Sequence, residues 1–147
     1  MKLYNIILGF ISIVTAALCS CDLETYDNGK LDGMWRLTGI DTLETSGSKN
    51  MDGTKLYWSF QGKLLQMDDK NNVEQKFLLR FEKNDSSLRL YDPYIYDREN
   101  GDKPLSDPKM LAPYGINSLE ENCKLDYLGS SNMTLKTKTL RLSFKKI

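Results

Sequence analysis

Lys55-Leu56-Tyr57-Trp58-Ser59-Phe60-Gln61-Gly62-Lys63-Leu64-Leu65-Gln66-Met67 is the stretch that decides the fold. Leu56, Trp58 and Phe60 fall on one side of an extended chain, and Lys55, Tyr57 and Ser59 on the other. That is the two-residue period of a half-buried strand. Gln61-Gly62 supplies a tight turn, after which Leu65 and Met67 resume the alternation. Asn71-Asn72 turns into a further strand, in which Val73, Gln75, Phe77, Leu79 and Phe81 alternate with Glu74, Lys76, Leu78 and Arg80. Asn84-Asp85-Ser86 closes that hairpin, and Leu88 and Leu90 follow. Near the C-terminus Cys123/Leu125/Tyr127, Met133/Leu135 and Leu140/Leu142/Phe144 repeat the period. Helical periodicity is nearly absent, so no crossover helices separate the strands. The pattern predicts an all-β domain, either a sandwich or an antiparallel up-and-down barrel of about eight strands, and the barrel is the expectation adopted.

The alternation stops between Tyr91 and Asn117. This segment holds all four prolines and the polar run Asp97-Arg98-Glu99-Asn100-Gly101-Asp102, a composition incompatible with a central strand. Long ordered loops in compact domains are disproportionately functional, so it is expected to be a partner surface or a lid, with a mobile insertion as the alternative. Its tyrosines Tyr91, Tyr94, Tyr96 and Tyr114 offer rigid area with a polar tip, suited to stacking on a sugar, anchoring a protein partner or packing at a barrel rim.

At the other end of the chain, Lys2 precedes an uncharged, mostly apolar run from Leu3 to Leu18, the length of a secretory signal core. About 20 apolar residues are needed to cross a bilayer as a helix, and no other stretch approaches that. Leu18-Cys19-Ser20-Cys21 resembles the lipobox of bacterial lipoproteins. The resemblance implies removal of residues 1–20, diacylglyceryl transfer to the Cys21 thiol and acylation of the freed amine, which gives the two or three chains that stable anchoring requires. Residues 21–32 are then a lipidated tether, polar and broken at Asn28-Gly29, and residues 33–147 the folded domain. Asp22, Glu24 and Asp27 resemble the acidic tag that carries some Gram-negative lipoproteins to the cell exterior. The expected location is the cell envelope, at the outer membrane and exposed on its surface.

The chain has 20 basic and 20 acidic side chains, and losing Lys2 with the signal leaves one acid in excess. Nucleic acid is not an expected partner, because the basic groups Lys136/Lys138 and Arg141/Lys145/Lys146 are short and lie within strands. The absence of histidine removes Ser-His-Asp and Cys-His catalysis and the commonest transition-metal ligand. Asp68-Asp69, or Asp92 with Asp97, remain as acid and base candidates. Asp97, Asn100 and Asp102 do not have the spacing of a calcium loop. No catalysis, metal or cofactor is expected. Cys123, the one thiol left once Cys21 is acylated, reads as a small core residue.

Gly33-Met34-Trp35 opens the first strand and resembles the Gly-x-Trp motif of lipocalins. In that family the tryptophan plugs one barrel end under a basic side chain from the last strand, which implies Gly33, Trp35 and Arg141 as the end motif here. Over residues 31–147 the chain is similar to the lipocalin-like domains of small bacterial lipoproteins. Such a barrel holds one small molecule, so Trp58, Phe60, Phe77, Leu79, Phe81 and Leu90 are the expected lining of a site for a small apolar ligand. If those side chains meet, the barrel is full, and the alternative is an interaction module presenting residues 91–117 to a protein, glycan or other envelope partner. A carboxylate enzyme would instead need two converging acids, one with a strongly raised pKa.

Overall fold

The structure, a computed structural model, describes residues 28–147. Signal, lipobox, Cys21 and most of the tether lie outside the described residues. Within them the chain forms β1 (Gly33–Thr42), β2 (Ser48–Lys49), β3 (Leu56–Gln61), β4 (Leu64–Asp69), β5 (Phe77–Lys83), β6 (Ser87–Ile95), β7 (Lys103–Pro104), β8 (Glu121–Leu128), β9 (Asn132–Lys136) and β10 (Leu140–Lys146). Eight of these close a barrel in the order β1-β3-β4-β5-β6-β8-β9-β10, every pairing antiparallel. β10 pairs back onto β1 from Trp35 opposite Lys146 to Thr42 opposite Leu140. The two-residue strands β2 and β7 sit outside the ring, against β1 and β6.

Each wall strand forms because its alternation gives one dry face and one wet one. Leu56, Trp58 and Phe60 are buried, as are Leu65, Met67, Phe77, Leu79, Phe81, Leu88, Leu90, Met133, Leu135, Leu142 and Phe144. The β3–β4 connection is a tight two-residue turn, Gly62-Lys63, one position later than Gln61-Gly62, with Gly62 at φ 62°. Trp58 Nε1 is buried without a hydrogen-bond acceptor among the described residues. Such a donor costs about 1–3 kcal/mol, which the aromatic packing around it must offset.

Three segments differ from the sequence reading. Val73 and Gln75 are not in a strand: β5 begins at Phe77, and Val73 is 79% exposed. The Asp69 carboxylate accepts from the backbone N–H groups of Asn71, Val73 and Glu74 at 2.9 Å each, and this wraps the chain into a turn. The folded region also begins before Gly33, inside the expected tether. Asn28 Nδ2 donates to Gly62 O at 2.8 Å, and a 3-10 turn, Gly29–Leu31, drives Leu31 into the barrel end with no exposure.

The third is the proline-rich segment. β6 runs on through Pro93 to Ile95, tolerated because Pro93 sits in a bulge opposite β5 and because β8 pairs with β6 only from Ser87 to Leu90. Beyond it Leu105, Leu111, Tyr114 and Ile116 are buried, Leu111 and Tyr114 on a 3-10 helix, Pro108–Tyr114. Its N-terminus is capped by Asp107, which accepts from Lys109 N, and Gly115 ends it in the left-handed region. This stretch closes the barrel end opposite Leu31.

Candidate functional site

The six side chains expected to line a ligand site are 0–4% exposed and belong to one buried cluster. Trp58 lies 6.3 Å from Phe60 and 4.9 Å from Phe144, centroid to centroid. Phe60 stands edge-on to Phe81 at 5.1 Å, and Phe77 edge-on to Tyr114 at 6.0 Å. Offset and edge-on pairs of this kind contribute about 0.5–1.5 kcal/mol each beyond the area they bury.

At the Leu31 end, Trp35 is wholly buried and its Nε1 donates to Leu31 O at 2.9 Å. The cation over its ring is Lys146, with Nζ 5.0 Å from the centroid and 3.0 Å from Lys30 O. Arg141 is not the cover. It faces outward, paired in register with Asp41 and Lys136. Parity explains the correction: Leu142, Phe144 and Lys146 share the inward face of β10, and Arg141 is on the other. Gly33 suits this position because its φ of 118° is one that side-chain-bearing residues rarely adopt.

The nominated acids do not form an acid-base pair. Burial pushes the Asp69 carboxyl up, but its three backbone donors outweigh this and hold it below the usual carboxylate range. Asp68 is engaged by Lys70 at 2.7 Å and Lys76 at 3.7 Å. Asp97 folds back on its own loop, where Asn100 through backbone and side-chain N–H, with Glu99, keeps its carboxyl low. A general acid needs the opposite shift. Burial, with Glu121 nearby, raises the Cys123 thiol to about 12, as suits a core residue rather than a nucleophile. Among the described residues no group of His, Cys, Asp and Glu side chains could hold a metal ion.

The feature that sequence reading missed is on the outer wall. Past Leu90, β6 parts from β8, and the gap holds a cleft of about 280 Å3. Its floor is Leu105, and Leu119 borders it. Arg89 and Glu120 form one side, joined by a hydrogen bond of 2.7 Å that raises the guanidinium pKa. Asp92 and Tyr94 form the other. Alternation along β6 would turn Asp92 inward after Leu90. The bulge instead places it at φ 50°, exposed, with Pro93 taking the buried position and Tyr94 outward again. A non-glycine residue there, directly before proline, is strained backbone. Asp92 and Tyr94 also border a second cleft of about 280 Å3, with Leu64, Leu78, Arg80 and Asp102. Only the adjacent Asp92-Pro93 hinted at this in the sequence.

A closed eight-strand antiparallel barrel with a Gly-x-Trp end is a lipocalin-like architecture. The lipocalin-like domain family matches residues 16–147, and the chain belongs to it. Two solved structures share the fold. A lipocalin-like protein from Bacteroides uniformis is 17% identical with a TM-score of 0.59, the match covering 81% of this chain and 100% of that one. An uncharacterized protein from Bacteroides eggerthii is 15% identical with a TM-score of 0.56, covering 80% and 99%. No curated protein matches the chain.

Proposed function

We propose that this protein is a non-catalytic binding module, anchored by lipid at Cys21 in the cell envelope at the outer membrane, which recognises its partner on the outer wall of a filled barrel. The observation that carries the reading is the contact among Trp58, Phe60, Phe81 and Phe144. A small apolar ligand in the interior would have to displace these rings and forfeit their packing. The outward part of the 91–117 segment is then the working surface, and Leu105 to Ile116 is its support. Lipid anchoring rests on the order of Lys2, the Leu3–Leu18 run and Leu18-Cys19-Ser20-Cys21.

Both tryptophans of the chain face the interior, so their fluorescence reports its occupancy. Titration of the mature protein with a long-chain fatty acid should leave their emission unchanged. Saturable one-to-one quenching would return the ligand to the interior and overturn the reading. Mass spectrometry of membrane-extracted protein should find an acylated Cys21 N-terminus that Cys21→Ala abolishes, and an unmodified N-terminus would remove the anchor.

A further inference from the structure

Where β6 parts from β8, the wall presents an apolar floor beside unlike polar groups. Leu105 is nearly covered, Tyr94 is 39% exposed, and Arg89, Glu120 and Asp92 line the same gap, the Arg89 guanidinium held by Glu120 and Glu82 over the Tyr91 ring. The bulge is what brings Asp92 here, since regular alternation would have directed it at the core. Guanidinium offers donors in a planar fork, and carboxylates only acceptors. A sugar ring matches this set. Its C–H face is apolar and stacks on an aromatic ring, while adjacent hydroxyls donate to a carboxylate and accept from a guanidinium. At about 280 Å3 the cleft falls below the roughly 300–1,000 Å3 of pockets for drug-sized ligands, which suits a single ring. The second cleft, of the same size, lies on the far side of the shared Asp92 and Tyr94.

We propose that these two clefts form a binding site for an oligosaccharide, with adjacent sugar rings on either side of Tyr94 and hydroxyls held by Asp92 and Arg89. The assignment rests on the outer-wall reading above and names its ligand class. Arg89 is already paired with Glu120 at 2.7 Å and Glu82 at 3.3 Å and lies over the Tyr91 ring, so the first cleft holds no unpaired cation for an anionic ligand and suits an uncharged saccharide.

The test is binding of the mature lipoprotein, in detergent micelles, to a panel of immobilised neutral hexose and N-acetylhexosamine oligosaccharides, followed by calorimetry with the free sugar. At least one oligosaccharide should bind, with its disaccharide unit at least tenfold tighter than the monosaccharide. Asp92→Asn, which keeps a residue tolerant of the left-handed backbone, and Tyr94→Ala should each weaken it at least tenfold. Asp85→Asn, on an exposed turn at the Leu31 end, should not. No binding across the panel, or binding that both Asp92→Asn and Tyr94→Ala leave intact, overturns the saccharide site. The outer-wall reading fails separately, by a fatty acid entering the interior.

Discussion

Gly115 is where the closing helix meets the barrel, and replacing it with alanine separates two costs. At φ 89° and ψ 13° any Cβ carries left-handed strain, about 1–2 kcal/mol. Here it would also stand 2.5 Å from Leu142 Cδ2 and 3.1 Å from Cδ1. Leu142 is fully buried, so the neighbours that pack it oppose its rotation, and overpacking of this kind adds about 1–3 kcal/mol. Gly53 provides the control, with φ 78° and nothing within 4 Å of a built Cβ. Gly53→Ala should therefore show the strain alone. For a domain of this size each kcal/mol moves Tm by roughly 3–6 °C, so Gly115→Ala should melt about 3–18 °C below Gly53→Ala by calorimetry or circular dichroism. Shortening the obstructing side chain in Gly115→Ala/Leu142→Val should recover part of the difference. Two single variants melting within about 2 °C of each other would refute the claim that the helix is pressed onto β10 at this point.

Lys146→Met keeps the stem but removes the cation over Trp35 and should cost about 0.5–1 kcal/mol in urea unfolding. Arg141→Met should change stability by less than about 0.5 kcal/mol, and the reverse order would restore Arg141 as the cover. Asp69→Ala leaves three backbone donors without their acceptor and should cost about 1–3 kcal/mol at neutral pH. Because the folded state holds the Asp69 carboxyl below its ordinary 3.8, its contribution is complete above that value and is lost as pH falls through the lower folded value. Wild-type urea midpoints should accordingly fall more steeply than those of Asp69→Ala as the pH is lowered below about 4, and parallel curves there would contradict the assignment. Cys123 should not react with a disulfide reagent at pH 8 in the native protein and should react at once in denaturant, whereas a fast native phase would show the thiol to be accessible.

The wall was legible in the sequence because a strand with one dry and one wet face writes its period into every second residue. Leu56-Trp58-Phe60 and Leu142-Phe144 carry that signal with no help from elsewhere in the chain. Val73 and Gln75 fit the same pattern yet lie in a turn, because one side chain, Asp69, draws three backbone donors out of strand geometry. The closing helix was hidden for a different reason: Tyr114 packs against Phe77, a residue distant in sequence. Tyr114 OH donates to Gln75 O, 39 positions away. Lys146 was recoverable from parity with Phe144. The bulge at Asp92 was not, since it is a shift of register against β5 between Leu78 and Arg80.

The ring is completed by a contact between its first and last strands, Trp35 beside Lys146. A polypeptide made or delivered N-terminus first therefore carries β1 with one raw edge until its last seven-residue strand arrives. Closure is a single late event that brings residues more than a hundred positions apart into register, the kind of step that makes folding slow. Before it, two unpaired edges, one on β1 and one on β9, are open to strands of neighbouring molecules. Loss of Leu140–Lys146 would leave them so permanently, and turn a sealed cylinder into an adhesive ribbon.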